Sequence, residues 1–362
     1  MRFFRIDPTE IAMESNNDLP RQIDGNAGGA TDAPRMRQPV EVEVVRASDL
    51  SYATFVREYV RRNRPVVIDG AAARWPALER WTPEYFRDRF GDQQVQVSYR
   101  DRMAMSDFID AVLRSTAEQP GPYLYRVFLH EHLPAVLPDL SPENPYAFAG
   151  RHGSALIPER WWRPDGYLKL LIGGVGSKFP VMHYDGDHEH AQITQIYGDK
   201  EFYLFSPRDT DKLYARPLQT NWSEVENPAE PDLERFPLMA QATPYRAILK
   251  PGQTIFVPML WWHAARALSV SISVCTNTLD RSNWAGFVSD VCAEAETPTL
   301  KRMLKRGYFG AAGTVMRAME DLQTAAPGLA RALRFPAWIS PAAPDFHQDP
   351  STRQLRFRIP VA

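Results

Sequence analysis

The pattern of apolar and polar positions changes character twice along the chain. From about residue 39 to 165, short apolar runs alternate with segments of helical spacing. Residues 42–45 read as a first strand, and Ser51 as the N-cap of a helix reaching about Asn63, with Phe55, Tyr59 and Val60 at helical intervals. A buried strand over 65–68 stops at Asp69-Gly70. Thr82-Pro83-Glu84 puts a capping hydroxyl, a first-turn proline and an acid where a helix begins, and that helix ends near Gly91. A strand over 95–99, a helix over 106–114 and an alternating strand over 123–128 follow. Residues 130–165 are rich in proline and aromatics, and their histidines His130, His132 and His152 read as loop packing.

From 167 to 278 the apolar runs are short and separated by turn residues, the pattern of a sandwich or barrel. Strands are predicted over 167–174, 191–197, 200–205 and 253–258. Gly198-Asp199 predicts a two-residue hairpin between the second and third. Residues 207–244, with several prolines and many acids, are too long for a plain loop and predict an insertion near the mouth of a site. After Asp280 the period becomes helical. Phe287, Val288, Val291 and Cys292 predict one helix; Leu300, Met303 and Leu304, then Val315, Met316, Met319 and Leu322, predict one or two more. The polar residues 1–38 predict a disordered leader, and 336–362 an irregular tail with one strand near 355–359. The divisions are therefore 1–38, an N-terminal α/β elaboration 39–165, a β core 166–279 containing the insertion 207–244, helices 280–335 and the tail 336–362.

Composition narrows the function classes. The 362 residues are 44% hydrophobic with a formal net charge of -2, which argues against a general nucleic-acid surface. Cys275 and Cys292 form neither a disulfide framework nor a zinc motif. No apolar run is long enough to span a bilayer, and the first residues lack the apolar stretch of a secretory signal, so a cytoplasmic location is expected.

Candidate chemistry centres on His183-Tyr184-Asp185. In a strand, alternate side chains share a face, so His183 and Asp185 point one way and Tyr184 the other. His263 follows a separate strand-and-turn unit. Two imidazoles and a carboxylate compose the triad that holds Fe(II) on one side and leaves positions open for oxygen and substrate. Lys200 supplies a cation that can share the face of these ligands and pair with an anionic cosubstrate. His188 and His190 form a rival pair but lie in an inserted segment. Asp187, His188, Glu189 and His190 read equally as substrate contacts or as a solvated turn.

With these residues in place, residues 39–325 resemble the JmjC/cupin-type Fe(II)- and 2-oxoglutarate-dependent dioxygenases, especially the asparaginyl hydroxylase that inhibits hypoxia-inducible factor and the small JmjC-only protein hydroxylases. The matching pieces are RPVVIDGAAARWPAL (64–78), HYD (183–185), QIYGDKEFYLFSP (195–207), NPAEPDLERFP (227–237) and LKPGQTIFVPMLWWHAARAL (249–268). The resemblance implies a mainly β fold, a double-stranded β-helix (jelly-roll or cupin) core with an N-terminal α/β elaboration and a C-terminal helical extension. It implies His183, Asp185 and His263 as iron ligands. It also implies Lys200 as partner of the distal carboxylate of 2-oxoglutarate, with Tyr123, or its neighbour Tyr125, reaching the same carboxylate. Pro180 stands where relatives have Ser or Thr, two extra residues follow the HxD, and Cys275 replaces an asparagine of the asparaginyl hydroxylase. The implied reaction consumes 2-oxoglutarate and O2, releases succinate and CO2, and hydroxylates a C–H bond of a protein or peptide side chain. The same chemistry on a small metabolite, a natural-product intermediate or a tRNA base is the alternative, and a non-enzymatic cupin-like binding module the alternative from another class. A homodimer through the C-terminal helices is a further expectation, and no nucleic-acid or membrane partner is expected.

Overall fold

A computed structural model describes residues 35–97, 101–141, 144, 146, 168–293 and 299–325, and the short strands at 345–348 and 355–358. The chain opens with β1 (Val40–Glu41) and β2 (Val44–Arg46), then α1 (Tyr52–Phe55), which runs on as a π-type turn through Val60. Ser51 caps α1 by accepting from the Thr54 amide at 3.1 Å. After β3 (Val66–Asp69) come α2 (Ala77–Arg80) and α3 (Pro83–Phe90). Thr82 caps α3, and Pro83 sits where a missing N–H costs nothing. The hairpin β4 (Gln94–Gln96) and β5 (Arg102–Ala104), α4 (Met105–Leu113), β6 (Tyr123–Phe128) and α5 (Leu129–His132) complete the N-terminal half.

The core strands are β7 (Lys169–Gly173), β8 (His190–Tyr197), β9 (Lys200–Phe205), β10 (Pro244–Leu249), β11 (Gln253–Val257), β12 (Trp262–Ala267) and β13 (Ser271–Thr278). They form two facing sheets of order β2-β3-β11-β8-β13-β7-β6 and β1-β10-β9-β12. This is a mainly β jelly-roll with helices added. Helices α6 (Trp284–Ala293) and α7 (Thr299–Ala325) follow, and β14 (Asp345–Gln348) pairs with β15 (Leu355–Arg358).

Alternation along the strands sorts side chains between two apolar bodies. Leu171, Ile193, Phe202, Leu204, Leu249 and Ile255 fill the space between the sheets. Ile172, Ile196, Ile272 and Val274 face outward under Phe86, Phe108, Phe287 and Phe309 of the helices. The larger sheet is therefore covered on both sides, which is why β8 is buried along almost its whole length.

Three expectations need correction. The strand expected over 42–45 starts only at Val44, as β2, and a separate β1 precedes it, because the chain leaves the smaller sheet after β1 and joins the larger one at β2. Gly198-Asp199 does not close a hairpin: β8 and β9 belong to opposite sheets, and the turn carries the chain between them. Gly198 is required there, with φ +67° and a hypothetical Cβ 1.9 Å from the Val270 carbonyl oxygen. Of the helical positions after Asp280, Leu300, Met303 and Leu304 of α7 are exposed. At the end of the expected leader, Met36 packs against the insertion's apolar cluster and Arg37 donates to Thr243 Oγ1 at 3.0 Å. The side chains of Val315, Met316, Met319 and Leu322, residues 1–34 and His152 lie outside the described residues, as does the His130 side chain.

Candidate metal centre

His263 is the second residue of β12 and pairs with Leu204 of β9, so its ring enters the space between the sheets. The tryptophans before it are anchored: Trp261 Nε1 donates to the Asn63 carbonyl at 2.9 Å and Trp262 Nε1 to Thr210 Oγ1 at 3.0 Å. His183 lies on an extended segment that pairs with β12 through reciprocal backbone bonds between residues 183 and 263, at 3.0 and 2.7 Å. Tyr184 turns to the opposite side and meets Trp262 edge-on, which leaves His183 and Asp185 on one face.

The three side chains converge. His183 Nε2 is 3.9 Å from Asp185 Oδ1, His263 Nε2 is 4.0 Å from Oδ2, and one ligand atom from each lies within 4.8 Å of the others. Each imidazole is oriented by its own chain, His183 Nδ1 against the Val181 carbonyl at 3.1 Å and His263 Nδ1 against that of Trp261 at 3.0 Å. A carbonyl oxygen only accepts, so Nδ1 carries the proton and Nε2 keeps its lone pair for the centre. Burial, with His263 adding repulsion, pushes His183 down to about 3, so its ring is neutral at physiological pH. Burial opposes ionisation of Asp185, but His263, His183, Lys169 and Asn277 outweigh it and hold the carboxyl below its ordinary value. Two imidazoles and one carboxylate form a donor set that fits a ferrous ion.

A cavity of about 210 Å³ runs inward from this cluster past Phe179, Tyr125, Phe202, Cys275 and Lys169 to Tyr123. Lys200 is fully buried just behind the lining, where it reaches Tyr123. Along the β9–β12 pair it sits four residues below the His263 level, about 13 Å along the strand. Its ammonium donates to Tyr123 Oη at 3.2 Å and Ser273 Oγ at 2.5 Å. Among the described residues it has no carboxylate partner, and burial pushes it down to about 7. A buried cation held only by neutral groups fits the carboxylate of a keto-acid. Tyr125 instead packs its ring on Phe179, 5.0 Å away.

The 187–190 cluster divides. Asp187 and His188 take left-handed backbone conformations, and His188 Nδ1 meets Asp290 of α6 at 2.6 Å. His190 is buried; its Nδ1 accepts from the Met259 amide at 2.8 Å and its Nε2 lies 3.1 Å from Ser282 Oγ. The pair His188 and His190 is thus committed to holding α6 and the turn before His263, and does not form a rival ligand set. Glu189 is pushed up to about 8 by burial. His132 Nδ1 contacts the Phe128 backbone, a packing role.

The insertion 207–244 buttresses the centre. Trp222 pairs with His183, Tyr184 and Asn221 exchange bonds, and Leu213, Val225, Phe236 and Met239 pack with Met182 and Trp262 beside both ligand histidines. Sequence reasoning missed Ser273, Gln195, Asn277, Lys169 and Phe179. A signal existed: Ser271, Ser273, Cys275 and Asn277 alternate with Ile272, Val274 and Thr276, a strand whose interior face is polar.

Comparison with known proteins agrees with this architecture. The cupin-like domain family matches residues 52–278. Lysine-specific demethylase 8 of Xenopus tropicalis is 28% identical over 232 residues, 61% of this chain and 49% of that protein. The bifunctional peptidase and (3S)-lysyl hydroxylase JMJD7 of Homo sapiens is 26% identical, covering 61% of this chain and 78% of its own. The tRNA wybutosine-synthesizing protein 5 of Danio rerio is 28% identical, covering 73% and 86%. The chain thus spans about half the length of the demethylase it matches. With the jelly-roll, the His-Asp-His cluster and most of the chain matched, this protein belongs to the cupin-like domain family, among relatives of the JmjC type.

Proposed function

We propose that this protein is an Fe(II)- and 2-oxoglutarate-dependent oxygenase that hydroxylates a C–H bond of a protein or peptide side chain. The observation that carries the reading is one cavity with a His-Asp-His donor set at one level and, bonded to Tyr123 of its lining, a buried lysine with no carboxylate partner among the described residues. His183, Asp185 and His263 would hold the ion, which supplies O2 activation coupled to decarboxylation of 2-oxoglutarate to succinate and CO2. The protein's residues do the rest. Lys200 binds the far carboxylate, with Tyr123 and Ser273 fixing the ammonium, so the keto-acid is oriented along the cavity. Gln195 accepts from Ser273 Oγ at 3.0 Å and keeps that hydroxyl in place. Phe179 stacks on His183 with ring centres 4.4 Å apart and excludes water from that side. Hydrophobic walls strengthen the lysine–carboxylate contact by lowering the local dielectric.

The cavity is smaller than the roughly 300–1,000 Å³ of ordinary ligand pockets. That size favours the cosubstrate plus the end of one side chain. A second reading, oxidation of a tRNA base, is carried by the wybutosine-synthesizing relative. The exposed apolar residues Leu300, Met303, Leu304 and Tyr308 at helical spacing on α7 support a homodimer through that helix.

Succinate release from 2-oxoglutarate in the presence of Fe(II) tests the enzyme reading, with His183→Ala as the inactive control. Turnover abolished by the substitution supports it. Absence of iron-dependent turnover, even with candidate peptides and tRNA supplied, would leave a binding module. A gain of one oxygen atom on a peptide, located by mass spectrometry, distinguishes the protein substrate from the base.

A further inference from the structure

Backbone strain is concentrated beside the candidate ligands. Five non-glycine positions among the described residues take positive φ, and three of them lie within three positions of a ligand. Asp187 (56°) and His188 (53°) follow Asp185, and Leu260 (62°) precedes His263. A side chain disfavours this conformation, so such turns persist only where their surroundings over-determine them. Each turn is closed by a backbone bond of its own. The Glu189 N–H donates to the Gly186 carbonyl at 3.1 Å, and the Trp261 N–H to that of Pro258 at 3.2 Å. One bond per turn is a modest hold. Two imidazoles supply the rest.

We propose that His188 and His190 are positioning residues, which clamp the strained turns presenting Asp185 and His263 and so pre-organise the metal centre. The proposal rests on the functional reading only in requiring that a divalent ion occupy the triad. His188 is seated on α6. Its Nδ1 meets Asp290 Oδ2 at 2.6 Å, and its ring fills the space where a Cβ of Gly286 would stand. Gly286 and Asp290 are four residues apart and share one face of the helix, so the seat is built from both. The pair is 27% and 37% exposed, too open to water to add much stability. Its effect is to choose a conformation for the turn. His190 works from the other side and is 1% exposed. Its Nδ1 accepts from the Met259 amide at 2.8 Å, beside the left-handed Leu260. Because Nδ1 accepts, the ring proton sits on Nε2, which lies 3.1 Å from Ser282 Oγ. Ser282 in turn donates to Asp280 Oδ1 at 2.5 Å, at the entrance to α6. Three residues of chain thus tie both ligand turns to one helix.

Co(II) binding to the full chain tests this, read by calorimetry and by the ligand-field absorption of the bound ion. Gly286→Ala removes no metal donor and puts a better helix former into α6, yet it evicts the His188 ring. It should weaken Co(II) binding by about 10-fold, the lower end for outer partners of a metal centre, and shift the absorption bands. Asp290→Ala should act in the same direction. In a His188→Ala background Gly286→Ala should have no further effect, because the ring it displaces is already gone. His188→Asn keeps a donor near the Nδ1 position and tolerates left-handed φ, so it should bind Co(II) within a few-fold of wild type. On the other arm, His190→Leu should weaken binding, and His190→Asn, which keeps an acceptor for the Met259 amide, should recover most of it. Thermal midpoints of the metal-free variants separate a lost fold from a lost clamp. The clamp requires affinity to fall in Asp290→Ala while its midpoint stays close to that of wild type. Unchanged Co(II) affinity in either Gly286→Ala or His190→Leu overturns the clamp, as does a loss that neither asparagine variant restores. Wild-type protein that binds no Co(II), and behaves like Asp185→Ala, would overturn the metal centre and the clamp with it.

Discussion

Lys200 carries a titration that reports on the base of the cavity. Its folded value near 7 lies below the ordinary 10.5 of a free lysine. Between those values the unfolded chain binds more protons, so the lysine's penalty on folding is complete below pH 7 and fades as pH rises toward 10.5. Cosubstrate-free Lys200→Met should therefore be more stable than wild type at pH 7, with the gap in thermal midpoint narrowing by pH 9. Comparing the two proteins cancels the opposing titrations of Glu189 and Cys275, which burial raises to about 8 and about 12. The same substitution should weaken 2-oxoglutarate binding by about 10–100-fold, the equivalent of about 1.5–3 kcal/mol for a charged hydrogen bond. Calorimetric titration with 2-oxoglutarate measures it. At this scale the convergence of His183, Asp185 and His263 was legible, because ligand chemistry requires particular residue types at particular spacings. Lys169 and Asn277 were not, since single polar residues gain meaning only from the strands they face.

At the scale of elements, the insertion is a brace. Met239 is fully buried beside Met182 and Trp262, neighbours of His183 and His263. Met239→Ala should cost about 2–5 kcal/mol of stability, measured by urea unfolding. It should also weaken metal binding, because the cavity lies against both ligand segments. Unchanged metal affinity in a destabilised variant would show that the brace and the centre are uncoupled. Helix caps at Ser51 and Thr82 were readable locally, since capping depends on residues three apart. The Gly198-Asp199 turn misled because a tight turn fixes chain reversal without saying which sheet receives the next strand.

At the scale of the whole molecule, the exposed apolar stripe of α7 is where copies of the chain would meet. Leu300→Glu with Leu304→Glu should convert a dimer to a monomer in sedimentation velocity while leaving the thermal midpoint nearly unchanged, because neither side chain is buried in the chain itself. Equal sedimentation of variant and wild type would remove α7 as the contact. The amphipathic spacing of Leu300, Met303 and Leu304 announced a helix but not whether the core or a second copy covers it. The sequence by itself determined the strand and helix types, the caps, and the three side chains that converge as a candidate metal centre. These follow from side-chain periodicity and local bonding, which need no knowledge of distant partners. Tertiary structure alone decided that β8 and β9 separate into facing sheets, that His188 and His190 serve as anchors rather than ligands, and that Ser273 meets Lys200 and Asn277 meets Lys169. Those outcomes depend on contacts between residues tens to more than a hundred positions apart, and no local pattern fixes which of several compatible pairings the folded chain adopts.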